Sequence, residues 1–148
     1  MPTAEIRPLS RDDAEAADAL ATEAFGAPAR ELPEPWPAPG TCPWRAFVGA
    51  DLAAVAVVRA FRSWFGGDTV PTAGIASVAV RPEHRGAGLL APLFASLLAD
   101  ARERGAVVST LFPTAPGIYR RLGYEIVGEL ADMAVPVEPL TRIAVPAG

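Results

Sequence analysis

The sequence predicts an α/β (α+β) fold, a mixed central sheet of six to seven strands flanked by about four helices. Three observations carry that prediction. Residues 73–112 read as strand, helix, strand, a unit that calls for two parallel strands joined by a crossover helix. Residues 45–49 and 52–65 are apolar, β-rich runs separated only by Ala50 and Asp51, the pattern of an antiparallel hairpin. A length of 148 residues, 51% of them hydrophobic and 20% charged, suits one globular domain over residues 1–148 with a substantial core.

The elements follow in order. Residues 4–9 read as a short edge strand, because Pro8 removes a ladder donor and belongs near a strand end. Ser10, with Asp13 three positions on, resembles a capping-box start. Ala17, Leu20, Ala21, Ala24 and Phe25 then recur at helical spacing. Residues 27–44 contain six prolines, which withhold donors and bias their neighbours to extended backbone, so the segment is expected to be a loop with at most one helical turn. After the hairpin, Gly66, Gly67 and Asp68 turn the chain into a strand over 73–81. A helix over 89–104 closes on Gly105 as a left-handed cap, and 106–112 form the next strand. A short helix over 116–122 ends at Gly123, one or two strands are expected within 124–137, and residues 138–148 form a Pro-containing tail.

Composition excludes several classes. One cysteine, Cys42, and one histidine, His84, leave no disulfide framework and no clustered Cys or His metal site, so no metal is expected. A net charge of -4 argues against general nucleic-acid binding, which depends on clustered Lys and Arg. No basic leader precedes an apolar run, and no stretch of about 18 apolar residues occurs. The expectation is a cytoplasmic protein that engages neither membrane nor nucleic acid, with self-association left open.

The most informative segment runs from Val80 to Leu90, V-R-P-E-H-R-G-A-G-L-L, between a strand and the first turn of a helix. A helix start leaves about four N–H groups without partners and carries partial positive charge, which suits a pyrophosphate. Gly86 and Gly88 have no Cβ to obstruct a ligand and tolerate positive φ, while Arg81, His84 and Arg85 add local positive charge. Taken alone, the segment reads equally as an ordinary glycine-rich turn capping a helix.

The run resembles the R-x-x-G-x-G/A acyl-CoA pyrophosphate loop of the GNAT acetyltransferases. Arg85 and Gly88 match, and Leu90 stands where Gly or Ala is usual. With GGDTVPTAGIASVAVRPEHRGAGLL upstream and GIYRRLGYE downstream, the chain is most similar to the N-terminal GNAT module of the enhanced intracellular survival family, over about residues 6–135. The resemblance implies a parallel strand pair that splays to admit the pantetheine arm of acetyl-CoA, the expected co-substrate. Main-chain groups of Val78 and Val80, with Ala79 between them, would pair with its amides as an added strand would. The loop amides of Arg85, Gly86, Ala87, Gly88, Leu89 and Leu90 would hold the pyrophosphate.

The resemblance also implies that Tyr119 protonates the departing thiolate. A phenol with an ordinary pKa near 10 stays protonated at neutral pH, and a thiolate of pKa about 8.5 to 9 is basic enough to take its proton. From spacing alone, a core aromatic with its hydroxyl turned outward fits Tyr119 at least as well. Tyr124 reads as structural. The strand preceding the loop has no carboxylate to serve as general base, and Ser77 is a poor one. In the family the base is the C-terminal carboxylate of a much longer chain, so here water, Glu31 or Glu34 would take that role, or the sequence is the first domain of a longer protein.

Trp36, Phe25 and Trp64 are candidates to line an acceptor pocket, with packing or loop anchoring an equal alternative for each. Cys42 reads as a small apolar filler, and His84 as a positioning residue of the loop. Two functions follow. One is an N-acetyltransferase that moves acetyl from acetyl-CoA to a primary amine of a small molecule or lysine-like acceptor. The other is a non-catalytic acyl-CoA-binding or assembly module.

Overall fold

The computed structural model describes residues 4–26 and 31–136. Strand β1 (Glu5–Pro8) leads through a 3-10 turn (Arg11–Asp13) into helix α1 (Ala14–Phe25). Strands β2 (Thr41–Val48), β3 (Asp51–Phe65) and β4 (Asp68–Val80) follow, then a 3-10 turn (Pro82–His84), helix α2 (Leu90–Glu103), strand β5 (Val108–Leu111) and helix α3 (Pro116–Arg120). The sheet order is β1-β2-β3-β4-β5; every pairing is antiparallel except the last, which is parallel.

Tight turns explain the long central strands. Gly66 and Gly67 both hold positive φ (61° and 91°), the two-residue geometry whose twist matches that of flanking strands, so Phe65 faces Asp68 directly. β4 therefore starts five residues before the sequence-predicted position at Ala73. β2 likewise begins inside the segment predicted as a loop. Pro43 is tolerated there because the main-chain edge it shares with β1 is the end of that ladder: β1 pairs only up to Pro8 opposite Trp44, and Pro43 still accepts from the Leu9 N–H.

Alternation along the strands divides the core between two faces. On one, Leu93, Phe94, Leu97 and Ala101 of α2 pack on Trp44, Ala46, Ala56, Val58 and Ile75. On the other, Ala14 and Leu20 of α1 join Leu52, Val55 and Ala79. α2 ends as its sequence foretold. Gly105 takes φ 94°, its N–H reaches the Arg102 carbonyl and that of Ala106 reaches Ala101, which satisfies the last turn's acceptors.

Three expectations are corrected. Among the described residues the sheet has five strands rather than six or seven, and there are three α-helices rather than about four. Residues 124–136 form no strand: Val127, Leu130 and Met133 point into solvent (95%, 70% and 84% exposed), and apolar content without a ladder partner does not make a strand. Position 137 and the tail over 138–148 lie outside the described residues, as do residues 27–30 of the Pro-rich segment. The capping box is also absent. Ser10 gives its hydroxyl proton to the Asp13 carboxylate rather than receiving a helix N–H, because Asp13 is engaged by the fully buried Arg45 guanidinium.

Leu97 is wholly buried against the sheet. Leu97→Ala is expected to lower unfolding free energy by about 2–5 kcal/mol through lost burial and a residual cavity. Urea denaturation followed by circular dichroism measures it, and a loss below about 1 kcal/mol would place Leu97 outside the packed core.

Candidate functional site

The site begins where β4 and β5 separate. Their parallel ladder runs from Thr72 opposite Val108 to Ile75 opposite Leu111 and stops. Immediately beyond, β4 carries a bulge. Val57 faces Ala76 while Val55 faces Ala79, so β4 has one residue more than β3 over this stretch, and Ser77 adopts φ 52°. A positive φ is unusual for a residue with a side chain, and an inserted residue bends its strand and raises local twist. The bend falls directly after the last β5 pairing, which accounts for the parting of the two strands.

Past the bulge the β4 main chain presents an open edge. The Arg81 N–H donates to the Ala53 carbonyl, so by strand alternation the N–H and C=O of Val80 turn away from β3. Among the described residues that carbonyl is met only by the Arg85 side chain, whose Nε donates to it at 3.3 Å. The side chains of Val78 and Val80 pack from the rim onto the α2-side core, and Ala79 is buried on the α1 side.

Beyond Val80 the chain forms a short 3-10 turn and then the two glycines. The His84 N–H reaches Arg81, that of Arg85 reaches Pro82, and that of Ala87 reaches His84. The N–H groups of Gly86, Gly88 and Leu89 have no partner among the described residues. Gly86 and Gly88 hold φ of 78° and 76°, with nothing within 4 Å of where a Cβ would stand. Conformation therefore requires these glycines, and the space before them is open. Leu89 is buried and Leu90 lies at the α2 start against the same core. Of the three cations, Arg81 is tied by Nε to the Leu52 carbonyl (2.8 Å), His84 leans toward Asp51 (3.9 Å), and Arg85 is exposed beside the glycines.

Tyr119 sits on α3, at the carboxyl end of β5 and hence at the same end of the parallel pair as the open β4 edge. It is half-buried against the cluster that also receives Val78, Val80 and Leu90. Its ring packs on Phe94 (5.9 Å between centroids) and on Tyr124 (6.3 Å, nearly perpendicular). No hydrogen bond reaches its hydroxyl among the described residues, and burial pushes its pKa above the usual tyrosine value, so it holds its proton throughout the physiological range.

The remaining candidates separate. Trp36 packs into the α1-side cluster, whereas Phe25 is half exposed and Trp64 stands at the tip of the β3–β4 ribbon, 78% exposed. Glu31 is exposed, and Glu34 is exposed and paired with Arg11. Burial first, and the Asp100 carboxylate next, push the Cys42 thiol above its ordinary pKa, which keeps it a thiol rather than a nucleophilic thiolate. Among the described residues no three or more His, Cys, Asp or Glu side chains gather into a metal-binding group, and no helix is long and apolar enough to cross a membrane. Sequence reasoning missed the Ser77 bulge and the buried Arg45. A serine in a strand and an arginine between tryptophan and alanine carry no signal of either.

The acetyltransferase (GNAT) domain model matches residues 5–127. An uncharacterized N-acetyltransferase of Streptomyces avermitilis is 34% identical over 129 residues, which make up 84% of this chain and 32% of that protein. The structure of Eis1 from Mycobacterium abscessus superposes with a TM-score of 0.66 at 32% identity, covering 82% of this chain and 31% of that one. A predicted acetyltransferase of Clostridium acetobutylicum, solved with acetyl-CoA, gives a TM-score of 0.70 over 89% of this chain and 96% of its own; at 16% identity that likeness is one of fold. The chain spans only 22% of the length of the Streptomyces griseus N-acetyltransferase it matches. With the family model covering most of its length, the chain belongs to the GNAT acetyltransferase family, with similarity to the Eis proteins.

Proposed function

We propose that this chain binds acetyl-CoA along the open edge of β4 and transfers the acetyl group to a primary amine of a small molecule or a lysine-like acceptor. The observation that carries the reading is the free main-chain edge after Ile75, running straight into a loop with unpartnered amides. An extended chain of amides, the chemistry of pantetheine, meets such an edge as an added strand, at Val78 and Val80. The pyrophosphate meets Gly86, Gly88 and Leu89 at the α2 start, where N–H groups and the helix dipole favour negative charge. Arg85 would exchange the Val80 carbonyl for a phosphate oxygen.

In the transfer, the unprotonated amine attacks the thioester carbonyl carbon, a new C–N bond forms, and the C–S bond breaks. Tyr119 gives its hydroxyl proton to the departing sulfur, and the proton on the attacking nitrogen passes to water or to a carboxylate. Only the protonated phenol can do this, so its raised pKa extends the active form to higher pH. One observation favours a second reading, acyl-CoA binding without turnover: β4 carries no acidic residue after Asp68.

Two measurements separate these readings. Acetyl-CoA at 100 times its dissociation constant is expected to stabilise the fold by about 2.7 kcal/mol, seen as a raised melting temperature. A flat melting curve up to millimolar acetyl-CoA would refute both. Thiol release over a panel of amines is expected only for the transferase. Tyr119→Phe should then lower kcat about 10²- to 10⁴-fold with acetyl-CoA affinity unchanged. In the parent, the alkaline loss of activity assigned to Tyr119 should fall above pH of about 10. Turnover of the variant within about threefold of the parent would remove Tyr119 from the reaction.

A further inference from the structure

The two tyrosines of the chain, Tyr119 and Tyr124, lie side by side, and hydrogen-bond direction distinguishes them. Ser109 Oγ lies 3.1 Å from the Ala73 carbonyl and 2.5 Å from the Tyr124 hydroxyl. A carbonyl only accepts, so the single Ser109 proton goes to Ala73; the proton between the two hydroxyls is therefore that of Tyr124. Tyr124 has its proton committed, whereas the Tyr119 hydroxyl has no partner among the described residues.

The same contacts place Tyr124 as a brace. Ala73 and Ser109 are paired residues of β4 and β5, two positions before the ladder stops. Tyr124 is thus anchored to the closed part of the strand pair just before it opens. From there its ring lies edge-on to Tyr119 and also to Phe94 (6.1 Å), so the three rings touch mutually. Its N–H returns to the Tyr119 carbonyl at 3.1 Å, alongside that of Leu122 at 2.9 Å. Helix α3 has five residues, too few to hold a side chain's direction by itself. Its placement depends on these contacts.

We propose that Tyr124, through Ser109, is a positioning residue that holds Tyr119 at the mouth of the parted strands. The inference rests on the proposed role of Tyr119 as proton donor. Tyr124→Phe keeps the ring and removes the anchor. Its kcat is expected to fall about 10- to 100-fold, the scale on which small misplacement of a reacting group acts, with KM for acetyl-CoA unchanged. Ser109→Ala should reproduce that loss, and Ser109→Thr, which restores a hydroxyl on the strand, should recover most of it. In a Tyr119→Phe background, Tyr124→Phe should change kcat by less than about twofold, because a brace has no effect once the group it holds is gone.

A loss of equal size in both backgrounds would overturn the inference, since Tyr124 would then act independently of Tyr119. So would full activity of Tyr124→Phe beside an impaired Tyr119→Phe, a result that leaves the proposed acid in place. Full activity of Tyr119→Phe would remove Tyr119 as the proton donor, and no turnover with any amine would refute the proposed reaction; either result overturns this inference as well. If Tyr124→Phe fails to fold, the Ser109→Ala and Ser109→Thr pair decides by the same criteria.

Discussion

A parallel strand pair ordinarily satisfies its main-chain groups along its whole length, because a buried N–H or C=O without a partner costs about 1–3 kcal/mol. Here β4 and β5 share four register positions and then part, leaving the last third of a long strand with one edge open. The bulge at Ser77 imposes this. It lies between a stretch of β4 held by neighbours on both sides and one held by β3 alone. The glycine turn, the start of α2 and the placement of α3 all take their positions from that divergence, since each belongs to a segment that leaves the carboxyl end of one of these two strands.

The two faces of the sheet have different tasks around this opening. α2 supplies a run of fully buried side chains, Leu93, Phe94 and Leu97, whose removal from water contributes about 1.5–3 kcal/mol each before entropy is counted. That packing fixes the helix whose first turn borders the open edge, and Phe94 also provides the floor for both tyrosine rings. Rigidity at the core is thereby passed to a short helix and an irregular loop that have little stability of their own.

Much of this was legible in the sequence, for reasons that differ by element. The hairpin of β2 and β3 and the helix α2 were readable because their signals are local: two β-rich runs around a short turn, apolar periodicity and a closing Gly105. The glycine loop and Tyr119 were readable as a pattern, although the residues alone left a plain turn and a core aromatic equally open. The boundary of β2 was obscured by prolines, whose effect depends on which edge still has a neighbour, and only the end of β1 decides that for Pro43. The strands expected within 124–136 failed for the converse reason: apolar residues are necessary for a strand, but a ladder partner must also exist. Ser77 was invisible because its φ is set by the mismatch between two strands and not by its own side chain.

Arg45 has a different kind of consequence. Its guanidinium is fully buried, pairs with Asp13, donates from Nη1 to the Ser10 hydroxyl at 3.2 Å and lies 4.8 Å over the Phe47 ring, while Nε and Nη2 have no hydrogen-bond partner among the described residues. A buried cation with three of its five N–H donors unmet depends heavily on the carboxylate it has, and removing one partner of such a pair typically costs about 3–5 kcal/mol. Asp13 precedes α1, and Arg45 belongs to β2. The amino-terminal helix and the sheet therefore form a matched pair in charge as well as in shape. A chimera that took this helix from a relative lacking an acid at that position would inherit an uncompensated charge in its interior.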